Sequence, residues 1–229
     1  LYLGATVSKV TPKDGGGIIA ELGPSPFIEG DPPTPLPESL EGDALLLTVG
    51  RAPNTQDLGL EEAGVTLDKR GWIIADENMR TAAPNIYAIG DVLGPGRVML
   101  AHAASFEGEV AVRNILGENI AMDYRAIPSA IFTMPEVGCI GLSQEEAEQK
   151  GLSVRTGTLL VRELGKAQAA GELAGEFKLI VDTASDKILG AQCSGPHATE
   201  LIAEMGLAIT NNITLAALRH TIHAHPTLA

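Results

Sequence analysis

A short apolar run that ends in a glycine and a carboxylate restricts the possible folds of this chain more than any other feature. Residues 86–89 (IYAI) are almost uninterruptedly apolar, which predicts a strand covered on both faces in a mostly parallel sheet. Gly90 and Asp91 follow at the carboxyl end of this strand, where ligands bind in open α/β sheets and where a carboxylate can accept hydrogen bonds from sugar hydroxyls. The pattern therefore predicts a ligand-facing position for Asp91.

A helix is predicted directly after this carboxylate. Apolar residues recur with helical spacing from Leu100 to Ile115, and Gly117 can end the helix. The first N–H groups of such a helix are free and carry partial positive charge, so they can face an electron-rich ligand atom. Taken alone, the same residues also fit a buried strand and its crossover helix, with Asp91 only capping a turn.

The residues before this stretch predict strands and a long loop. Residues 6–10 and 17–22 predict two strands joined by a glycine-rich turn. Residues 23–42 hold six of the fourteen prolines, which predicts an exposed, mobile loop outside any strand ladder. Residues 43–49 (DALLLTV) predict another buried strand, and this strand leads to Gly50.

From residue 124 onward the pattern changes to successive strands with short polar turns. Five strands are predicted, at residues 127–133, 137–142, 154–161, 177–181 and 188–193. This order predicts an antiparallel sheet. Ser143–Glu146 is a capping box that begins one helix, and further helices are predicted over residues 198–210 and after Thr214. The predicted fold class is therefore α+β, with a partial Rossmann-like unit followed by an antiparallel sheet flanked by helices.

Composition narrows the classes of partner. The formal net charge of -13 and the pI near 4.7 argue against nucleic acid or an anionic membrane as partners, because both bind basic faces. No apolar run approaches the ~18 residues that a membrane helix needs, and no signal peptide heads the chain. We therefore expect a cytoplasmic protein. Because the sequence starts at Leu1 rather than Met, we also expect a piece of a longer protein.

Two chemical signatures are missing from the sequence. Cys139 and Cys193 lie far apart in apolar surroundings and form no Cys-x-x-Cys pair, so we interpret both as inert, reduced, buried thiols. The Gly-x-Gly-x-x-Gly loop that binds a pyrophosphate at a helix N-terminus is also missing, since residues 15–17 (GGG) do not fit it. We therefore expect that the chain does not hold NAD by itself.

Three motifs point to a known family. They are residues 49–54 (VGRAPN), 87–91 (YAIGD) and 221–228 (TIHAHPTL), of which the last is the most specific. By their order and rough spacing the chain resembles the FAD-dependent pyridine nucleotide-disulfide oxidoreductases, and within them the dihydrolipoamide dehydrogenases, over nearly its whole length. The resemblance implies that residues 1–50 end an NAD-binding domain, that residues 51–123 end an FAD-binding domain, and that residues 124–229 form an interface domain of a two-fold homodimer.

The resemblance also implies roles for individual residues. It makes Asp91 the residue that holds the ribityl chain of FAD, and it places Gly50 close to NAD. Four residues would set backbone amides and a helix end against the flavin ring: Met99, Leu100, Ala101 and His102. Two alternatives stay open, because Gly50 also fits a turn at a strand end and His102 also fits a core or surface histidine without a flavin role.

The last motif carries the implied catalytic group. The resemblance makes His225 a general acid/base, delivered to the opposite subunit, that takes a proton from a dithiol so that the thiolate can attack a disulfide. In the family a carboxylate a few residues later orients this histidine, but the sequence ends at Ala229 before that position, so we expect the chain alone to be catalytically silent. A metal site formed by His223 and His225, or solvated histidines without a role, are the other interpretations. We assign no metal ligand.

The implied activity belongs to the complete protein. The resemblance implies that this protein oxidises a dihydrolipoyl group to its cyclic disulfide and passes the electrons through a cysteine pair and FAD to NAD+. Its implied partner is the lipoyl domain of a 2-oxoacid dehydrogenase or similar complex. We expect the chain to supply FAD contacts, the dimer interface and the histidine, and to bind neither cofactor alone. The alternatives are a related glutathione- or mercuric-reductase-type flavoenzyme and a non-catalytic dimerisation module.

Overall fold

The computed structural model describes residues 1–26 and 30–229, which form two compact units, residues 1–52 and residues 53–229. The first unit contains a three-stranded antiparallel sheet in the order β1-β2-β3, with β1 at Ala5–Pro12, β2 at Ile18–Pro24 and β3 at Ser39–Gly42. The N–H of Gly16 donates to the carbonyl of Lys13 at 3.1 Å in the turn between β1 and β2. The predicted hairpin is therefore confirmed.

The strand β3 lies inside residues 23–42, which the sequence predicts as a loop. Leu40 of β3 lies opposite Ala20 of β2 in the ladder. The prediction is wrong for this strand because the last proline of the segment is Pro37, so every residue of β3 keeps the N–H that a ladder needs. Residues 27–29 of the predicted loop lie outside the described residues.

Residues 43–49 do not form the predicted buried strand. They are irregular, and Leu46 and Val49 are 85% and 92% exposed. A central strand of a parallel sheet needs hydrogen-bonded neighbours on both sides, and no strand of the described residues pairs with this segment. The apolar run alone therefore does not make a strand here.

Residues 86–89 also form no strand, although the sequence predicts one. Tyr87 makes a single antiparallel bridge with Arg80, and the N–H of Ala88 donates to the carbonyl of Met79 at 3.0 Å. These contacts tie the segment to the turns that precede it rather than to a parallel sheet. The reason is the same as for residues 43–49, because a buried parallel strand without neighbours leaves its backbone groups unpaired.

The helix predicted after Asp91 is confirmed. Helix α1 runs over Ala101–Ile115, and Gly117 follows it with a left-handed φ of 95°. A small core packs α1 against a 3-10 helix at Gly90–Leu93 and against preceding turns; its buried members are Met79, Ala88, Leu93, Val110 and Ala111. The predicted apolar face is not wholly buried, since Phe106 is 62% exposed.

A second antiparallel sheet organises the carboxyl-terminal part of the second unit. Its five strands are β4 (Ser129–Ile131), β5 (Glu136–Gly141), β6 (Val154–Leu160), β7 (Glu176–Asp182) and β8 (Ile188–Gly195), in the order β4-β5-β8-β7-β6. Its helices are α2 (Gln144–Gln149), α3 (Gly165–Ala170), α4 (Ala198–Thr210) and α5 (Leu215–His220). The α+β class and the five predicted strands are confirmed, whereas α3 was not predicted. Among the described residues, no helix is long and apolar enough to cross a membrane.

Helix α4 covers the centre of this sheet. Ile202, Met205 and Ile209 of α4 are buried in one apolar cluster with residues of β5 and β8. The approach is close at Gly138 of β5, where an added Cβ would lie 2.6 Å from the carbonyl oxygen of Ala198. Burial of each of these three side chains stabilises the fold by about 1.5–3 kcal/mol. Helix α4 therefore holds a fixed position on the sheet.

The two cysteines lie in this sheet as free thiols. Burial, and secondarily the neighbouring Cys139, raise the pKa of the Cys193 thiol to about 11. Burial also raises the pKa of Cys139. Both residues therefore stay protonated near neutral pH, where only the thiolate is a nucleophile, which agrees with their interpretation as inert thiols. Cys193 is buried as predicted, whereas Cys139 is only partly buried.

We predict that Gly94→Ala destabilises the second unit by about 2–4 kcal/mol, as the sum of left-handed strain and overpacking. Gly94 has a φ of +79°, and an added Cβ would lie 2.6 Å from Cγ of the buried Trp72. The matched control is Gly96→Ala, since Gly96 has no atom within 4 Å of an added Cβ. Urea unfolding of both variants measures the difference in their free energies of unfolding. Equal midpoints would contradict the prediction and show that the Trp72 side chain moves aside without cost.

Candidate functional site

The predicted site residues fall into both units. Gly50 belongs to the first unit, where it is exposed with a φ of +121° and has nothing within 4 Å of an added Cβ. This conformation favours glycine. The other predicted residues belong to the second unit and form two groups, one at the start of α1 and one at the end of the chain.

The first group surrounds the 3-10 helix at Gly90–Leu93. Gly90 has a φ of +74°, and its N–H donates to Oε2 of Glu107 at 2.6 Å. Asp91 is partly buried, and its carbonyl accepts from the N–H of Gly94 at 3.0 Å. The backbone on both sides of the Asp91 side chain is therefore fixed by hydrogen bonds.

Glu107 is a residue of this site that the sequence reasoning missed. It is fully buried in the middle of α1, and its Oε1 accepts from the Tyr124 hydroxyl at 2.6 Å. Burial, and then this carboxylate, raise the pKa of Tyr124 to about 12. The sequence did contain a signal, since Glu107 is an acidic residue among the apolar positions of a predicted helix. A buried acid needs hydrogen-bond partners.

The start of α1 is open to an electron-rich group. Leu100 precedes the helix in extended conformation, and no side chain caps the helix. The partly buried Met99 lies just before Leu100, whose N–H donates to the carbonyl of Val98 at 3.0 Å. The helix begins at the next residue, so its first amides are those of Ala101 and His102. These amides have no partner within the helix itself and carry its partial positive charge.

The ring of His102 points toward a backbone group. Its Nε2 lies 2.8 Å from the carbonyl oxygen of Pro128. Because a carbonyl oxygen only accepts, this nitrogen carries the proton. Pro128 directly precedes β4, so the contact joins the first turn of α1 to the five-stranded sheet.

The second group lies in the C-terminal segment, residues 221–229. His225 is exposed, whereas the ring of His223 is held on both sides. Nε2 of His223 lies 2.7 Å from Oε1 of Glu204, and Nδ1 lies 3.1 Å from the carbonyl of Thr221. Both partners are acceptors, which suits a doubly protonated ring. The structure thus brings a carboxylate from α4 to His223 rather than to His225.

An apolar groove adjoins this pair. It has a volume of about 490 Å³ and lies among β6, β7, α4, α5 and the C-terminal segment. Leu228 reaches into its lining, and Glu204 and His223 also line it. The hydroxyl of Thr227 donates to the carbonyl of Ala224 at 2.6 Å. The segment is therefore anchored on both sides of His225, which itself stays exposed.

Metal binding finds no support in this geometry. Across residues 1–26 and 30–229, no group of three or more His, Cys, Asp or Glu side chains is placed to hold a metal ion. The carboxylate of Glu204 contacts His223 through an ordinary hydrogen bond.

Two family models match the chain in succession. Residues 2–108 match the model described as pyridine nucleotide-disulphide oxidoreductase, and residues 127–229 match the dimerisation domain of the same proteins. The chain belongs to the pyridine nucleotide-disulphide oxidoreductases. The resemblance drawn from the three sequence motifs is therefore confirmed.

Curated members of this family include close relatives. The chain is 50% identical over 189 residues to the dihydrolipoyl dehydrogenase of Chlamydia muridarum, which covers 82% of the chain and 40% of the relative. It is 44% identical over 191 residues to that of Geobacillus stearothermophilus, with 83% of the chain and 40% of the relative covered. The chain thus spans about 40% of the length of these pyridine nucleotide-disulphide oxidoreductases.

Solved structures of the family have the same fold. LpdA from Mycobacterium tuberculosis superposes with a TM-score of 0.83 at 29% identity, covering 98% of this chain and 46% of that one. A copper complex of RclA, an HOCl-induced flavoprotein disulfide reductase from Escherichia coli, has a TM-score of 0.80 at 26% identity, with 97% and 47% covered. The fold of the chain is therefore one found in pyridine nucleotide-disulphide oxidoreductases.

We predict that Glu204→Gln lowers the pKa of His223 toward its usual value of 6.5. The hydrogen bond to Glu204, and then its charge, raise the pKa of the His223 imidazole. Because the folded pKa is raised, the contact stabilises the segment fully below about pH 6.5 and is lost as the pH rises through the folded pKa. NMR titration of the His223 ring protons measures the shift.

Glu200→Gln is the matched control for this titration, because Glu200 is an exposed carboxylate one turn earlier on α4. It removes the same charge from the helix without removing the partner of His223. An unchanged His223 titration in Glu204→Gln, or equal shifts in both variants, would contradict the direct contact.

Proposed function

We propose that this chain is part of a dihydrolipoyl dehydrogenase, in which it supplies contacts to FAD, the dimer interface and a histidine base. The observation that carries the proposal is the 50% identity to the Chlamydia muridarum enzyme across 82% of the chain. In the proposed reaction the dihydrolipoyl dithiol loses two electrons and two protons as its S–S bond forms. NAD+ takes up two electrons and one proton, and the second proton leaves to solvent.

The residues at the start of α1 fit part of an FAD site. The partly buried carboxylate of Asp91 can accept a hydrogen bond from a ribityl hydroxyl, because a carboxylate oxygen is a hydrogen-bond acceptor. The uncapped start of α1, with residues 99–102, offers amides and a dipole that favour negative charge on a reduced ring. FAD, when bound, would accept the electrons that leave the dithiol through the cysteine pair of the complete protein.

The residues of this chain do not fit a complete NAD site. Gly50 allows a close backbone approach, because it has open space around it and a left-handed conformation. The sequence has no Gly-x-Gly-x-x-Gly loop for the pyrophosphate. We therefore propose for Gly50 a contact to NAD within a site that other residues complete.

His225 is the proposed general acid/base. Its exposed position between two anchored residues of the C-terminal segment allows it to meet a substrate that does not enter the subunit's own core. It would take a proton from a thiol of the substrate, a task that needs a group titrating near neutral pH. The thiolate formed in this way can then attack a disulfide sulfur.

Assembly and location complete the proposal. The match of residues 127–229 to a dimerisation domain supports a homodimer, and the lipoyl domain of a 2-oxoacid dehydrogenase or similar complex is the proposed macromolecular substrate. The division into residues 1–50, 51–123 and 124–229 stays a prediction, as does a cytoplasmic location. The compact units divide after residue 52, close to the first of these boundaries.

A related flavoprotein disulfide reductase is the second candidate. The RclA structure superposes with a TM-score of 0.80, so the fold does not separate the two activities. Sequence similarity favours the first candidate, because identity to RclA is 26% and identity to curated dihydrolipoyl dehydrogenases reaches 50%. The substrate assay of the following experiment distinguishes them.

We predict that His225→Ala lowers the dihydrolipoamide oxidation rate by roughly 10²–10⁴-fold, the usual contribution of a general acid/base. The enzyme to use is a chimaera in which this chain replaces the matching part of the Chlamydia muridarum relative. Flavin content should not change, since His225 is not among the proposed flavin contacts. His220→Ala is the control, because His220 is exposed in α5, outside the C-terminal segment.

Two outcomes of this experiment would count against the proposal. A chimaera that contains flavin but does not oxidise dihydrolipoamide would favour the second candidate. Near wild-type turnover in His225→Ala would remove the acid/base assignment and leave the family membership untouched.

We predict that the chain elutes as a dimer, with twice its mass of 23.8 kDa, in gel filtration with light scattering. Leu207 on α4 is 68% exposed and places an apolar side chain on the surface of the predicted interface domain. Leu207→Glu should weaken the dimer, whereas Leu173→Glu, at a partly exposed leucine in the loop after α3, should not. A monomer at all concentrations would argue against the interface.

A further inference from the structure

We propose that Glu107 is a positioning residue whose buried carboxylate fixes the turn at Gly90 and thereby sets the direction of Asp91 toward its ligand. The inference rests on the proposed function only for the identity of that ligand, the ribityl chain of FAD. The clamp itself consists of contacts within this chain. Glu107 does not touch the ligand and acts through the backbone of its neighbours.

Both oxygens of the Glu107 carboxylate are used. Oε2 accepts from the N–H of Gly90 at 2.6 Å, and Oε1 accepts from the hydroxyl of Tyr124 at 2.6 Å. The side chain is 0% exposed. A buried carboxylate without partners is strongly unfavourable, and charged hydrogen bonds are shorter and stronger than neutral ones. The carboxylate and its two donors therefore hold each other in one arrangement.

Gly90 is the point at which this clamp controls the backbone. The chain changes there from the extended conformation of Ile89, with a φ of -139°, to the 3-10 helix that begins with Gly90. The first N–H of a helix has no partner inside the helix, so Glu107 supplies one from outside. An added Cβ at Gly90 would lie 3.2 Å from Cβ of Ala104, so α1 confines the turn from a second direction.

Asp91 inherits its direction from this turn. It follows Gly90 directly, so the dihedral angles of Gly90 decide where the Cα–Cβ bond of Asp91 points. Glycine has the widest conformational freedom of all residues, and nothing in its own structure maintains a φ of +74°. The hydrogen bond to Glu107 is therefore the contact that makes a flexible position specific.

Tyr124 provides the second anchor of the clamp. Its hydroxyl is protonated at neutral pH and donates to Glu107, and burial and then Glu107 raise its pKa further, to about 12. The guanidinium of Arg97 lies 5.1 Å from the centre of the Tyr124 ring, and its Nη2 donates to the carbonyl of Ala75 at 3.2 Å. The clamp thus joins α1, the turn before it and the segment after it.

The chain offers graded variants of this clamp. Glu107→Leu removes both acceptors at similar volume and leaves the Gly90 N–H without its partner. Glu107→Gln keeps the shape, since its amide oxygen can accept from Gly90 and its NH₂ can donate to the Tyr124 oxygen. Tyr124→Phe removes only the second donor. Glu109→Gln on the exposed side of the same helix is the control.

The first measurement uses the chain itself and needs no cofactor. A short hydrogen bond to a carboxylate should move the Gly90 amide proton far downfield and slow its exchange with solvent. Glu107→Leu should remove the downfield shift and speed exchange by roughly tenfold or more, in line with the loss of a charged hydrogen bond. Glu107→Gln should restore part of both effects, and Glu109→Gln should change neither.

The second measurement is the FAD dissociation constant of the chimaera with the Chlamydia muridarum relative. Glu107→Leu should weaken FAD binding by roughly tenfold or more, Glu107→Gln and Tyr124→Phe should weaken it less, and Glu109→Gln should have no effect. A wild-type chimaera that binds no FAD would overturn the proposed function, while the amide measurement would still report on the clamp.

The positioning role has its own contrary outcome. Unchanged FAD affinity in a folded Glu107→Leu chimaera would overturn it and leave the proposed function intact. If Glu107→Leu does not fold, Tyr124→Phe and Glu107→Gln decide the question. Wild-type values for the Gly90 amide and for FAD binding in both variants would also overturn the inference.

Discussion

The structure depends on the requirement that buried backbone N–H and C=O groups find hydrogen-bond partners. The five-stranded sheet meets this requirement within the chain, because every strand from β4 to β8 pairs with a neighbour. Residues 43–49 and 86–89 have the apolar character of central strands but no such neighbours, and they stay irregular. The same requirement explains Glu107, whose buried carboxylate accepts from the N–H of Gly90 at the start of the 3-10 helix.

Local signals in the sequence predicted most of the fold, whereas contacts between residues distant in sequence were not predicted. The capping box at Ser143 and Glu146 forms as predicted, since both of its hydrogen bonds lie within one turn. The contact between Glu204 and His223 joins α4 to the chain's end. No spacing rule marks such a pair. The sequence reasoning therefore identified the histidine segment and missed the carboxylate that anchors it.

In the candidate site, the groups proposed to contact cofactor or substrate differ from the groups that hold them in place. Asp91, the start of α1 and His225 are the groups proposed to meet cofactor or substrate, and each is at least partly exposed or uncapped. Glu107 and the pair of Glu204 with His223 act behind them, through the turn at Gly90 and through the C-terminal segment. Such division is physically reasonable, because exposed groups cannot fix their own direction in water.

The uncovered run at residues 44–49 has a consequence for how the chain behaves in concentrated solution. It has six residues without charge or proline, it includes three successive leucines, and most of its apolar surface is exposed. Segments of this composition stack into dry, interdigitated sheets of identical strands. Fibril growth from this chain would therefore start at this run, and a single lysine in it would act as a gatekeeper.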